Sequence, residues 1–129
     1  MRLLLDTQAF LWWVFGDVRL SSTAQNLISD QENECLVSYA SAWEIAIKSG
    51  LGKLKLSEPV AEFFPAELRN NGFQPLELKL AHLTAVESLP QHHRDPFDRL
   101  LITQALAEKL PVVSSDAAFD LYGVKRFWE

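Results

Sequence analysis

Asp6, Glu44, Asp98 and Asp116 are the residues of this chain whose types and placing could do chemistry together. Asp6 ends the apolar run Leu3-Leu4-Leu5, and Asp116 follows Val112-Val113-Ser114-Ser115. Glu44 and Asp98 fall in the first turns of predicted helices. In an α/β sheet such positions converge on one edge. Carboxylates gathered there are costly unless a cation neutralises them. The pattern therefore points to a divalent metal and to chemistry on phosphates. A hard cation such as Mg²⁺ takes oxygen ligands, a few carboxylates plus waters. It can draw hydroxide from water and clamp phosphate oxygens, and two ions would clamp both the attacking and the leaving oxygen.

Each acid also has a plainer structural reading. Asp6 and Asp116 could simply cap helices. Glu44 could close a capping box with Ser41. Asp98 could favour the dipole of a helix capped by Asp95. Four caps would explain the positions singly but not their meeting at one sheet edge. Asp95 could face the same place, although its cap role before Pro96 already accounts for it. His92 and His93 suggest zinc or a general base. They lie in a polar loop with no Cys or further His at ligand spacing, so a solvated loop is expected. Ser114 or Ser115 could position an acid or contact a phosphate, or satisfy a strand-end backbone group. Lys48, Arg94 and Arg99 are candidate phosphate contacts, with surface solvation as their default. Trp12 and Trp13 fall on a helix dense in apolar residues, which favours core or interface over base stacking.

The elements that must position these residues can be read from pattern. Residues 2–5 read as a short buried strand, and Thr7 to about Phe15 as a helix ended near Gly16. Ser21-Ser22 cap a second helix carrying Ala24, Leu27 and Ile28 at helical spacing. Residues 35–38 form a second strand. Ser41-Ala42-Trp43-Glu44 opens a helix that stops at Ser49-Gly50, and residues 50–54 form a loop. Residues 59–70 look helical, with Pro65 a potential breaker. Residues 73–78 read as a strand, and 79–89 as a helix. Residues 90–94 are a polar loop. Asp95 caps a helix running to about Lys109, 111–114 is a strand, Asp116 starts a short helix, and 124–128 is a final strand. Strands alternating with helices imply a mainly parallel sheet. Ligands in such sheets bind beyond the carboxyl ends of the strands. Asp6, Glu44 and Asp116 share that edge by connectivity alone. Asp98 needs its helix brought to the same edge.

Bulk properties bound the reading. At 129 residues the chain reads as one domain, 1–129, with room for a real core. The single cysteine, Cys35, rules out an internal disulfide and lies in an apolar run, as a buried thiol would. It fits a reducing cytosol. Asp6 interrupts the N-terminal apolar run, so no secretory leader is expected. No stretch approaches the roughly 20 apolar residues of a membrane helix, so a cytoplasmic protein without membrane association is expected. The net charge of −5 counts against nucleic-acid binding. Setting aside the four acids leaves −1, which weakens that objection.

The same residues carry a resemblance. Leu4-Leu5-Asp6-Thr7, Ser41-Ala42-Trp43-Glu44-Ile45-Ala46-Ile47-Lys48, Asp95-Pro96-Phe97-Asp98-Arg99-Leu100-Leu101-Ile102-Thr103-Gln104-Ala105 and Val113-Ser114-Ser115-Asp116 look like a PIN-domain ribonuclease. Within that family the chain is similar to VapC-type toxins of bacterial toxin–antitoxin pairs, over nearly its full length. The resemblance implies a three-layer α/β sandwich around a mainly parallel sheet. It implies hydrolysis of RNA phosphodiesters with Mg²⁺ or Mn²⁺. Asp6 and Asp98 match the principal metal-binding acids, Glu44 the acid of the central helix, and Asp116 the fourth and most variable one. It further implies a homodimer or higher oligomer and a cognate antitoxin whose tail enters the active-site groove. Two rivals stand beside it. One is another metal-dependent phosphohydrolase; a haloacid-type phosphatase would want a second Asp two residues after the first, where this chain has Gln8. The other is a degenerate relative that serves only as a protein-interaction module, against which four intact acids argue.

Overall fold

A computed structural model describes residues 1–129. Five strands form one sheet: β1 (Arg2–Leu5), β2 (Glu34–Ser38), β3 (Gln74–Leu76), β4 (Val112–Val113) and β5 (Arg126–Phe127). Their order is β3-β2-β1-β4-β5, and every pairing is parallel. The helices are α1 (Thr7–Phe15), α2 (Ser22–Ser29), α3 (Tyr39–Gly50), α4 (Val60–Asn71), α5 (Leu80–Ala85) and α6 (Pro96–Glu108). Short 3-10 turns follow at Val86–Ser88 and Ala117–Tyr122.

A sheet covered on both faces explains why Leu3, Leu4 and Leu5 are all apolar and all fully buried. The pleat sends Leu3 and Leu5 to one face, where α1, α2 and α4 supply Phe10, Ala24, Phe63 and Phe64. Leu4 faces the other side, against Leu101, Ile102 and Ala105 of α6 and Phe119 of the second 3-10 turn. This is the expected three-layer sandwich, with the sheet wholly rather than mainly parallel. Phe10 is the hub of the first face, meeting Phe63, Phe64 and Phe73 edge-on at 6.5, 5.8 and 6.2 Å. No helix is long and apolar enough to cross a membrane.

Several local expectations need correction. The helix expected to open at Ser41 begins at Tyr39, because Ser38 is the cap: its Oγ accepts from the Ala40 N–H at 2.9 Å. Ser41 is buried inside the helix and Glu44 closes no capping box. The helix expected over 79–89 is a six-residue helix followed by a 3-10 turn. The strand expected over 73–78 shortens to Gln74–Leu76 at the sheet edge, where Pro75 is tolerated. Pro65 does not break α4, because buried Phe63, Phe64 and Leu68 anchor that helix on either side of it. Trp12 and Trp13 are half-buried against the core. Trp12 packs on Trp128 at 5.8 Å, and Trp13 donates from Nε1 to Asn71 Oδ1 at 2.9 Å. Cys35 is buried, and desolvation pushes its thiol up to about 11, so it is inert.

Candidate active site

The chain leaves β1 toward β2 and β3, then crosses back to lay β4 on the opposite side of β1. Such a reversal opens a crevice at the carboxyl ends of the two strands. Asp6 is the first residue beyond β1, and its N–H donates to Val113 O of β4 at 3.1 Å. Its carboxylate caps α1, with Oδ1 accepting from the Ala9 N–H at 2.8 Å. One acid thus ends the strand, starts the helix and faces the crevice.

Glu44 reaches the same crevice through α3. Thr7 Oγ1 donates to Ser41 Oγ at 2.8 Å, a buried bond that pins α3 against the start of α1. Glu44, nearly one turn beyond Ser41, is buried and accepts from Lys48 Nζ at 2.5 Å. Asp98 comes from the opposite layer. Asp95 caps α6, its Oδ1 accepting from the Phe97 and Asp98 N–H groups at 2.8 and 3.2 Å, and Pro96 occupies the first helical position. Gln104 ties α6 to the strand ends, accepting from Ser38 Oγ at 2.5 Å and donating to Glu77 O at 3.1 Å. Asp116 caps the turn after β4, with Oδ1 accepting from the Ala118 N–H at 2.9 Å.

All four predicted acids therefore line one cleft of about 220 Å³, with Asp95 and Lys48 also in its wall. Each capping expectation for Asp6, Asp95 and Asp116 is also met. The two readings were never exclusive: the backbone bond orients the carboxylate and leaves an oxygen for the cleft.

The electrostatics are those of a site short of positive charge. Burial pushes the Asp6 carboxyl up to about 6; the Ser114 hydroxyl and the Ala9 N–H oppose this, while Glu44 and Asp116 add to it. Burial likewise pushes Asp98 up to about 7, helped by the charges of Asp95, Asp6 and Glu44 and opposed by His93. No lysine or arginine pairs with Asp6 or Asp98, since Lys48 is engaged with Glu44. Buried carboxylates without a partner are the environment a divalent cation relieves, and hard oxygen donors are the set Mg²⁺ or Mn²⁺ takes.

The structure places two residues differently from what the sequence leads one to expect. His93 was expected to be a solvated loop residue. Its Nε2 instead lies 3.0 Å from Asp98 Oδ2 and 2.8 Å from Asp116 Oδ2. Arg99 was expected at the surface or on a phosphate. It is buried, and its guanidinium donates to the carbonyls of Val86, Leu89, Pro90 and His93 at 2.9–3.3 Å. The available signal was position: His93 stands two residues before the cap of the helix that carries Asp98, and Arg99 directly follows Asp98. Arg94 is in none of the ion pairs or side-chain hydrogen bonds, and Ser114 Oγ accepts from the Asp116 N–H at 2.9 Å.

Comparison with known proteins agrees with this architecture. The family model of the PIN domain matches residues 3–125. Over 68 residues the chain is 44% identical to Ribonuclease VapC16 of Mycobacterium tuberculosis. That alignment covers 50% of this chain and spans about half, 48%, of the length of that relative. Among solved structures, VapBC2 from Rickettsia felis bound to a promoter DNA fragment superposes with a TM-score of 0.70 at 16% identity, covering 100% of both chains. VapBC-1 from nontypeable Haemophilus influenzae gives 0.65 at 14% identity, covering 98% of this chain and 97% of that one. FitAcB from Neisseria gonorrhoeae gives 0.63 at 15%, covering 97% and 96%. At such identities the structural likeness is one of fold.

Proposed function

The chain belongs to the PIN-domain family, and on that premise we propose that it is an endoribonuclease dependent on a divalent cation, Mg²⁺ or Mn²⁺. The observation that carries this reading is the pair Asp6 and Asp98, buried, raised to about 6 and 7, and without a cationic side chain of their own. These two would hold the cation, with Glu44 and Asp116 beside them. When bound, a divalent cation lowers the pKa of water and offsets charge on the phosphate under attack. The protein's part is preorganisation. The Ala9 N–H fixes the Asp6 carboxylate, the Asp95 cap fixes the first turn that bears Asp98, and Lys48 holds Glu44. Lys48, with its side chain nearly half exposed at the cleft wall, is placed to meet an incoming phosphate. The two positive charges of a bound divalent cation also bring the net charge from −5 to −3, which lessens the repulsion of RNA.

The biological role we propose is that of a cytoplasmic toxin in a toxin–antitoxin pair, held by an antitoxin protein and paired with a second copy of itself. The identity to a ribonuclease of the VapC type and the likeness of fold to VapBC complexes support this. So does an apolar stripe along α3 and its C-cap, where Tyr39, Trp43, Ile47 and Leu51 recur every four residues and stay exposed. A face of that kind is suited to a protein partner.

The test is RNA cleavage by purified protein. Cleavage should require Mg²⁺ or Mn²⁺, stop in excess chelator, and return on adding the cation back. Equal cleavage by Asp6→Asn, or by wild type in excess chelator, would refute the mechanism. Growth arrest on expression, relieved by Asp98→Asn and by the antitoxin, tests the toxin role separately.

A further inference from the structure

His93 stands against two of the cleft acids, Asp98 and Asp116, with no role yet assigned to it. Its Nε2, Asp98 and Asp116 offer atoms lying within 4.8 Å of one another, so spacing alone would allow all three to hold one cation. The other ring nitrogen decides against that. Nδ1 accepts from the Asp95 backbone N–H at 3.1 Å. A nitrogen that accepts carries no hydrogen, and a neutral imidazole must then carry its hydrogen on the other nitrogen. Nε2–H is therefore a donor: it hydrogen-bonds Asp116 Oδ2 at 2.8 Å, and Asp98 Oδ2 lies 3.0 Å from the same nitrogen. It has no free lone pair to give a cation.

The loop holding this ring is tightly built. The Tyr122 hydroxyl accepts from the His92 and His93 N–H groups at 2.9 and 2.8 Å and donates to Pro90 O at 2.7 Å. Arg99 donates to Pro90 O and His93 O at 2.9 and 3.2 Å from beneath. The ring itself stands edge-on to Phe119 at 6.5 Å. Arg99 follows Asp98 on α6 and Tyr122 belongs to the turn capped by Asp116. The two elements that bring the carboxylates thus also hold the ring that bridges them.

We propose that His93 is a positioning residue: its Nε2–H holds the Asp116 carboxylate close beside Asp98 so that the remaining oxygens of both face the cation, and it does not ligate the cation itself. This rests on the proposed reading of the cleft as a divalent-cation site.

The test uses the full chain, stripped of metal and loaded with Mn²⁺. Pulsed electron paramagnetic resonance reads nitrogen coordinated to Mn²⁺, and calorimetric titration reads its affinity, for wild type, His93→Gln and His93→Leu. Glutamine can place an N–H donor where the Nε2–H of His93 lies; leucine cannot. The expectation is no directly coordinated imidazole nitrogen in wild type, near-wild-type Mn²⁺ affinity in His93→Gln, and an affinity roughly 10- to 100-fold weaker in His93→Leu. An imidazole-nitrogen coupling in wild type that vanishes in His93→Gln overturns the proposal and leaves the cation site standing. Unchanged affinity in His93→Leu also overturns it. Wild type that binds no Mn²⁺ overturns the cation site and this proposal with it. The spectroscopic arm uses only wild type and His93→Gln, so the outcome does not depend on whether the leucine chain folds.

Discussion

Asp6→Asn should make the metal-free protein more stable at neutral pH while abolishing its activity. Asp6 has an ordinary carboxyl value of 3.8 that burial raises to about 6. A group whose folded pKa is raised stabilises the fold fully below its unfolded value and loses that contribution as pH climbs through the folded one. The loss therefore falls between about pH 4 and pH 6. At about 1.4 kcal/mol per unit, a shift of some two units corresponds to roughly 3 kcal/mol by pH 7.5. Asn removes the titration, keeps an oxygen for the Ala9 N–H, and is as good a cap as Asp. It forgoes an anion at a helix N-terminus, about 0.5 kcal/mol. The net gain at pH 7.5 is about 2–3 kcal/mol, or roughly 6–15 °C in Tm for a domain of this size, and it should vanish near pH 4. Scanning calorimetry in chelator at pH 4.5 and 7.5 measures it. With Mg²⁺ at about 100 times its Kd, wild type should regain about 2.7 kcal/mol and the variant little. An Asn variant no more stable than wild type at pH 7.5 in chelator, or one that Mg²⁺ stabilises as fully as wild type, would refute the account of an uncompensated buried carboxylate.

Asp98→Asn should lower the rate of RNA cleavage by roughly 10²-fold or more, the several kcal/mol that a positioned cation supplies. Asp116→Asn should cost about a decade less, because that side chain is 40% exposed at the cleft edge; steady-state cleavage at saturating Mg²⁺ compares the two. Arg99→Leu should destabilise the fold by roughly 3–5 kcal/mol, since it strands the Val86, Leu89, Pro90 and His93 carbonyls, and hydrogen exchange should quicken across residues 86–94. Phe10→Ala should cost roughly 3–5 kcal/mol in denaturant unfolding, because the ring is fully buried among three aromatic neighbours and the void cannot collapse easily.

Much of the site was legible because its residues sit at punctuation points of the chain. Asp6 and Asp116 follow strands short enough to read from their apolar runs, and Asp95-Pro96 marks a helix start by local chemistry alone. Local signals misled where a distant partner intervened. Ser41 looked like a cap because its sequence context fits one. Ser38 took that role at the true end of β2, leaving Ser41 to accept a hydrogen bond from Thr7, 34 residues away. His93 and Arg99 depart from their local signals for the same reason. A basic residue in a polar stretch is usually solvated, and only the packing of Val86–Arg94 over α6 buries Arg99 beneath backbone carbonyls.

The sequence by itself determined the alternation of strands and helices, the parallel sheet that this alternation requires, and the delivery of Asp6, Glu44 and Asp116 to its carboxyl edge. Each of these follows from connections of a few residues, over which backbone geometry leaves little choice. Only the tertiary structure decided that Asp98 meets them from the opposite layer, how little positive charge the cleft would hold, and that His93 bridges Asp98 and Asp116. Those outcomes depend on contacts between segments far apart in the chain, such as His93 with Asp116 and Ser38 with Gln104. Burial and partner geometry set the charge state of a carboxylate and the hydrogen on an imidazole, and neither is written in the spacing of residue types.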